Sequence, residues 1–226
     1  MKLCSLFSGG KDSVFSLYIG LKQHEVAALL SMVSERDDSY MYHTPNIKLT
    51  KYSSEAIGIP LVSKPTKGAP PAENEDLFEA LSGIKDEFGI EGICVGAVHS
   101  NYQYKIVSDI CRKLSLEVFA PIWQRNHADV MRDFVGAGFE ALIVNVAADG
   151  LDESWLGRKI DTETIAQLEK MEKKFGLDAG GEGGCYETLV IDGPIFKKRL
   201  EIIKSRKIWD GVRGQMIVEG ARLLTK

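Results

Sequence analysis

Two short stretches of this chain concentrate residues whose types and spacing could do chemistry. The first is Ser8-Gly9-Gly10-Lys11-Asp12-Ser13. It lies between an apolar run, Lys2–Phe7, that reads as a buried strand, and Lys11–Gln23, which carries Val14, Leu17, Tyr18 and Leu21 on one helical face. Glycines at such a turn let the backbone approach an anion closely, and the helix start adds free N–H groups and the positive end of its dipole. Ser8, Lys11 and Ser13 supply further donors for phosphate oxygens. The pattern is not a Walker A loop, because Asp12 follows Gly10-Lys11 and Ser5 stands where the first glycine would be. On spacing alone, phosphate binding and an ordinary tight turn with a helix cap stay equally open.

The second stretch is Gly181-Glu182-Gly183-Gly184-Cys185-Tyr186-Glu187-Thr188-Leu189-Val190, a glycine loop running into a strand. It delivers two carboxylates, Glu182 and Glu187. Near a nucleotide such a pair could bind Mg2+, hold a cationic substrate or take a proton; without a partner motif it would be a solvated turn with incidental acids.

The elements that must position these loops follow from periodicity. Strands are expected at Val26–Val33, Leu61–Ser63, Gly92–Val98 and Leu116–Ala120, and helices at Asn46–Ile57, Glu73–Phe88 and Tyr102–Leu114. This alternation predicts right-handed βαβ units and a Rossmann-like α/β fold, a parallel sheet covered on both faces, with ligands outside the carboxyl ends of its strands. After Pro121-Ile122-Trp123 the pattern changes to helices at Arg125–Gly136 and Thr162–Phe175 and strands at Glu140–Val146, Tyr186–Ile191, Phe196–Ser205 and Gln215–Leu224. These predict a smaller α+β domain with an antiparallel unit. The expected division is 1–122 and 123–226.

Composition limits the classes further. At 226 residues, 44% hydrophobic and 27% charged, the chain is not intrinsically disordered and can bury a large core unaided. No apolar run approaches the ~20 residues of a membrane span. Cys4, Cys94, Cys111 and Cys185 are too far apart for a C-x-x-C zinc or redox site. The short Met1–Phe7 lead-in leaves no room for a signal peptide, so a reduced, cytoplasmic protein is expected. With 28 Lys+Arg against 32 Asp+Glu, net −4, broad electrostatic binding to nucleic acid is not expected. The one basic concentration, Lys197-Lys198-Arg199 with Lys204, Arg206 and Lys207, reads as a solvated face. His24 and His127 read as surface or capping residues, while His43 and His99 stay open between structural and binding roles.

Read whole, the first stretch resembles the PP-loop of N-type ATP pyrophosphatases, which cleave ATP between its α- and β-phosphates. The second resembles the E-G-G-E-[FY]-E-T motif of diphthine–ammonia ligases. Tyr42-His43-Thr44-Pro45-Asn46, the segment Gly96-Ala97-Val98 with Ser100-Asn101-Tyr102-Gln103, Pro121-Ile122-Trp123 and Gly138-Phe139-Glu140-Ala141 are similar to that family as well. One departure is Cys185, which stands at a family glutamate position.

The resemblance implies an AMP-forming ligase that joins ammonia to diphthine on translation elongation factor 2. Its reaction passes through an acyl-adenylate, with ATP and Mg2+ as cofactors and ammonium as the nitrogen source. It implies an ATP site at Ser8, Gly9, Gly10, Lys11, Asp12, Ser13, Met32 and Gly96. Lys11, Asp12, Glu182 and Glu187 would be catalytic. His43, Ser100, Tyr102, Gln103, Glu182, Gly183, Gly184, Glu187 and Thr188 would meet the substrate. A homodimer is compatible with it. The alternatives are a PP-loop enzyme that modifies a tRNA base and a nucleotide-binding module without turnover.

Overall fold

The computed structural model describes residues 1–34, 46–67 and 71–226. Its first half runs β1 (Lys2–Leu6), α1 (Lys11–Gln23), β2 (Glu25–Ser34), α2 (Thr50–Ile57), β3 (Leu61–Thr66), α3 (Ala72–Phe88), β4 (Gly92–Cys94), α4 (Asn101–Leu114) and β5 (Glu117–Phe119). The five strands are all parallel, in the order β3-β2-β1-β4-β5. That order reverses direction at β1, so the crevice beyond the carboxyl ends of β1 and β4 is the topological switch point of the sheet.

The second half comprises α5 (His127–Gly136), β6 (Glu140–Val146), α6 (Thr162–Phe175), β7 (Tyr186–Asp192), β8 (Lys198–Trp209) and β9 (Gly214–Thr225). Its strands form an antiparallel sheet in the order β7-β6-β9-β8. The fold is therefore Rossmann-like α/β joined to a smaller antiparallel α+β part, as the sequence pattern predicts.

Among the boundaries that differ from expectation, two have identifiable reasons. The apolar run 92–98 predicts one long strand, yet β4 stops at Cys94. Beyond it the chain leaves the sheet and passes under the first glycine loop, where Gly96 lies against the Asp12–Ser13 backbone. The strand expected at 61–63 extends to Thr66 through Pro65. An edge position permits this, because β3 pairs with β2 alone and the missing N–H of Pro65 interrupts no second ladder.

Two apolar clusters hold the layers. One face of the parallel sheet buries Leu30 and Ile93 against Leu77, Leu81 and Ile84 of α3 and Val107 and Ile110 of α4. The other cluster joins Leu3, Phe15 and Leu17 to Phe134 of α5, Phe139, and Val144 and Leu189 of the antiparallel sheet. The ring of Phe134 stacks on Phe139 at 4.9 Å and meets Phe15 edge-on at 6.1 Å. The two halves thus share one core across α1.

Cys4, Cys94 and Cys111 are buried free thiols. Burial pushes the first two up to about 12 and Cys111 up to about 11. They behave as small apolar side chains rather than nucleophiles. No helix among the described residues is long and apolar enough to cross a membrane.

Candidate active site

The cavity lies at the switch point and has a volume of about 530 Å3. The first glycine loop forms its floor. Gly10 occupies the N-cap position of α1 without a side-chain cap, so the helix start depends on partners outside the helix. One comes from the second glycine stretch: Lys11 N donates to Thr188 Oγ1 at 3.0 Å. A second bond between the same two segments runs from Val190 N to Gly9 O at 2.9 Å. Within the loop, Gly10 N donates to Ser8 Oγ at 3.3 Å and Ser8 N to Ser13 Oγ at 3.3 Å. The two motifs, some 170 residues apart in the chain, therefore form one wall.

Lys11 ties them a third time. Its buried ammonium donates to Asp12 Oδ2 at 2.8 Å and to Gly180 O at 2.5 Å. An ammonium has three donors, so one remains for a phosphate oxygen in the cavity. Behind it lies Tyr186, whose hydroxyl donates to Ala179 O at 2.6 Å and whose ring sits 5.7 Å from Lys11 Nζ. Burial lifts that phenol well above its ordinary value, so it stays neutral and anchors the loop.

The second loop needs glycine at Gly181. Its φ is +84°, and a Cβ there would sit 2.7 Å from Tyr186 O. This turn carries Glu182 and Glu187 into the cavity with different partners. Glu182 Oε2 lies 3.0 Å from His127 Nε2 and accepts the backbone N–H of His99 at 3.0 Å. Glu187 Oε2 is buried without a hydrogen-bond partner among the described residues, and burial pushes its carboxyl up to about 8. The two acids are therefore not an equivalent anionic pair.

His127, expected as a surface or capping residue, is buried at the start of α5. Its Nδ1 is 2.6 Å from Asp178 Oδ2 and its Nε2 faces Glu182. Burial by itself would lower this imidazole, but the hydrogen bond and charge of Asp178, with the charge of Glu182, raise it overall. Burial likewise works against the Asp178 carboxylate, and His127 together with the Glu182 N–H more than offsets it, leaving it lowered. No local pattern signals this pairing: Asp178 and His127 are 51 residues apart and join only when α5 meets the glycine loop.

Of the residues singled out from sequence, Ser8, Gly10, Lys11, Asp12, Ser13, Met32, Gly96, Ser100, Gln103, Glu182, Gly183, Gly184, Glu187 and Thr188 line the cavity. Gly9 contributes through its carbonyl bond to Val190 rather than as lining. Tyr102 is 42% exposed at the start of α4 and does not line the cavity. His43 lies outside the described residues. The basic residues of β8 are largely ion-paired, Lys198 with Glu55, Arg199 with Glu140, and Lys204 and Arg206 with Glu219, as a solvated face would be. Leu30, Val95, Ala97 and Val107 add an apolar side to the cavity that pattern reading did not single out.

Gly96 lets the chain after β4 pack directly on the first glycine loop. A Cβ at this position would lie 2.8 Å from both Asp12 C and Ser13 N, backbone atoms that cannot swing aside. Gly96→Ala is expected to cost about 1–3 kcal/mol through overpacking. Because the displaced atoms belong to the anion-binding loop, ATP affinity should fall at least about tenfold, a change of about 1.4 kcal/mol. Calorimetric titration with a non-hydrolysable ATP analogue checks this; unchanged affinity in a folded variant would show that the loop tolerates the shift.

A parallel sheet with a glycine-rich loop at its switch point, a buried lysine at the head of that loop and an apolar side wall to the cavity defines the class, a Rossmann-like α/β protein, and the loop's Ser8–Ser13 sequence resembles the PP-loop of ATP-binding proteins. The comparisons narrow it. The family model described as diphthamide synthase N-terminal domain matches residues 1–118, and that described as diphthamide synthase C-terminal domain matches 126–224. The chain is 35% identical to the diphthine--ammonia ligase of Rattus norvegicus and 34% to that of Homo sapiens, in each case covering 92% of this chain and 85% of the relative. It is 33% identical to that of Saccharomyces cerevisiae, across all of this chain but 37% of that longer one. A solved chain described as a predicted subunit of a tRNA methyltransferase from Methanocaldococcus jannaschii aligns at TM-score 0.47 and 15% identity, covering 85% of this chain and 98% of that one. This chain belongs to the diphthine–ammonia ligase family.

Proposed function

We propose that the chain is an AMP-forming ligase that amidates the carboxylate of diphthine with ammonia, using ATP. The observation that carries this reading is the closure of the PP-loop by the second motif through the Lys11–Thr188 and Val190–Gly9 bonds. These bonds put a phosphate-binding floor and a buried acid on one cavity wall. In this reading residues 1–122 bind ATP and residues 123–226 bring the acceptor, and the cavity is built from both within one chain. No second copy is required. In this reading the protein bearing diphthine is translation elongation factor 2, and the enzyme works beside it in the cytoplasm.

ATP fits the residues present. The loop amides, Ser8, Ser13 and the third Lys11 donor suit the phosphates, while Leu30, Met32 and Val95 offer the base an apolar surface beside the β2 backbone. Bound Mg2+ would neutralise phosphate charge, with Asp12 the nearest acid on the loop. In the first step a carboxylate oxygen attacks the α-phosphorus and pyrophosphate leaves. Lys11 and the loop amides stabilise the charge that builds on it. In the second, ammonia attacks the acyl carbon of the mixed anhydride, AMP leaves, and the nitrogen loses a proton.

Glu187 is the group for that proton. A carboxyl titrating at about 8 is far better matched to working pH than an ordinary one. A cation brought beside it favours its ionised form, and the carboxylate then accepts a proton from ammonium or from the forming amide nitrogen. Glu182, held by His127 and the His99 N–H, keeps the loop in place.

The test mixes protein, ATP and ammonium with either diphthine-bearing elongation factor or tRNA. AMP and pyrophosphate released only with the factor support the reading, release only with tRNA supports base modification, and ATP binding without release supports a non-catalytic module. Glu187→Gln should abolish most ammonia-dependent turnover; intact turnover and intact affinity for the protein substrate would remove Glu187 from this role.

The same variant tests the burial of the acid. A folded-state value raised from the ordinary 4.5 to about 8 favours the protonated form in the folded chain. The benefit is fully present below pH 4.5 and is lost as pH rises to about 8. Relative to wild type, Glu187→Gln should therefore gain stability across that window and gain no more above it. Urea melts at several pH values measure it.

A further inference from the structure

We propose that His99, His127 and Glu182 form a site for one divalent d-block cation of the zinc type, separate from the magnesium that accompanies ATP. The donor atoms of the three residues all lie within 4.8 Å of one another. They come from three separate segments: the turn after β4, the first residue of α5 and the second glycine loop. Two imidazoles and one carboxylate suit zinc or cobalt rather than magnesium, which prefers an oxygen shell.

The supporting shell is already built. Asp178 Oδ2 lies 2.6 Å from His127 Nδ1, the carboxylate–histidine arrangement that turns the other ring nitrogen toward a metal and raises its basicity. Asp178 Oδ1 accepts Glu182 N at 3.1 Å, so one carboxylate orients two of the three ligands. His127 Nε2 and Glu182 Oε2 stand 3.0 Å apart. Ligands at the usual Zn–N and Zn–O lengths of a tetrahedral site stand about 3.3–3.5 Å apart. Little movement is needed there, since a metal takes the place that a proton holds between the two atoms. The remaining adjustment falls to His99, whose exposed ring already rests against His127 with centroids 4.5 Å apart. Glu182 and His127 both line the cavity, so the fourth position opens toward it. Three protein ligands with one open position is the arrangement of a zinc ion that can bind water or a substrate group. Such an ion also clamps the glycine loop to the β4 side of the cavity.

The experiment uses the untagged full chain with Cys185→Ser, which removes the one half-exposed thiol, and titrates it with Zn2+ and Co2+ in excess Mg2+. The expected result is one equivalent bound, a tetrahedral Co2+ absorption band, and a Zn2+-dependent rise in melting temperature. His99→Ala, an exposed change that leaves the loop contacts of His127 intact, should weaken binding at least about tenfold, as should Glu182→Gln. Failure of the parent chain to bind, displacement of the ion by Mg2+, or wild-type affinity in either folded variant overturns the proposal. None of these readouts depends on the ligase reaction, so its fate and that of the functional reading are judged separately.

Discussion

Replacing Lys11 by methionine is expected to lower ATP-dependent AMP formation by about 10²–10³-fold, the usual effect of removing one donor that meets charge in the transition state. Methionine keeps most of the buried volume, and the Lys11 N–Thr188 Oγ1 bond, a backbone bond, survives the change. What disappears is the ammonium that Asp12 Oδ2 and Gly180 O now hold at the head of the phosphate loop. Because the loop amides remain, ATP affinity should fall less than turnover does. A quenched-flow measurement of pyrophosphate release at saturating ATP, set beside an equilibrium ATP titration, separates the two. A loss of less than tenfold in a folded variant would mean that the amides and metal carry the charge without Lys11. Loss of affinity alone would make it a binding group and not a catalytic one.

The largest stability effect is expected in the shared core. Phe134→Ala removes a ring that is 1% exposed and packed on Phe139 and Phe15. Truncations of this kind cost about 3–5 kcal/mol, the upper end where the cavity cannot collapse. For a chain of this size that corresponds to a fall in melting temperature of about 6–20 °C. The manner of melting is as informative as the size. Because the cluster around Phe134 includes residues of β1, α1, α5 and the antiparallel sheet, wild type and variant should each unfold in one transition. If calorimetry instead resolves two transitions with only one displaced, the two halves hold themselves together separately. The active site would then depend on docking between them.

That division also marks how far the sequence could be read. Periodicity placed α1, β6 and α6 at their observed ends, since an amphipathic face or an apolar run is a local property of the chain. It erred at β4 because an apolar run records burial, and Val95 and Ala97 are buried on either side of Gly96, which packs on the PP-loop backbone, beyond the end of the strand. The motifs were legible for a similar reason. Glycines, a lysine and hydroxyls at fixed offsets must sit close together wherever the chain goes, so Ser8–Ser13 reads as one loop, but its spacing left an anion site and an ordinary capped turn equally open.

What the sequence alone determined is therefore the parallel α/β class and, through resemblance, the phosphate loop and the kind of ligase to expect. The tertiary structure decided the different surroundings of the two acids. Glu182 and Glu187 look alike in the sequence, but protonation depends on what surrounds each group in space. His127, from another element, faces Glu182, whereas Glu187 Oε2 is buried with no hydrogen-bond partner among the described residues and burial pushes its carboxyl up to about 8. His127 shows the same limit from the other side. An isolated histidine in sequence carries no sign of its partners, and only the packing of α5 against the glycine loop brought Asp178 to one of its nitrogens and Glu182 to the other.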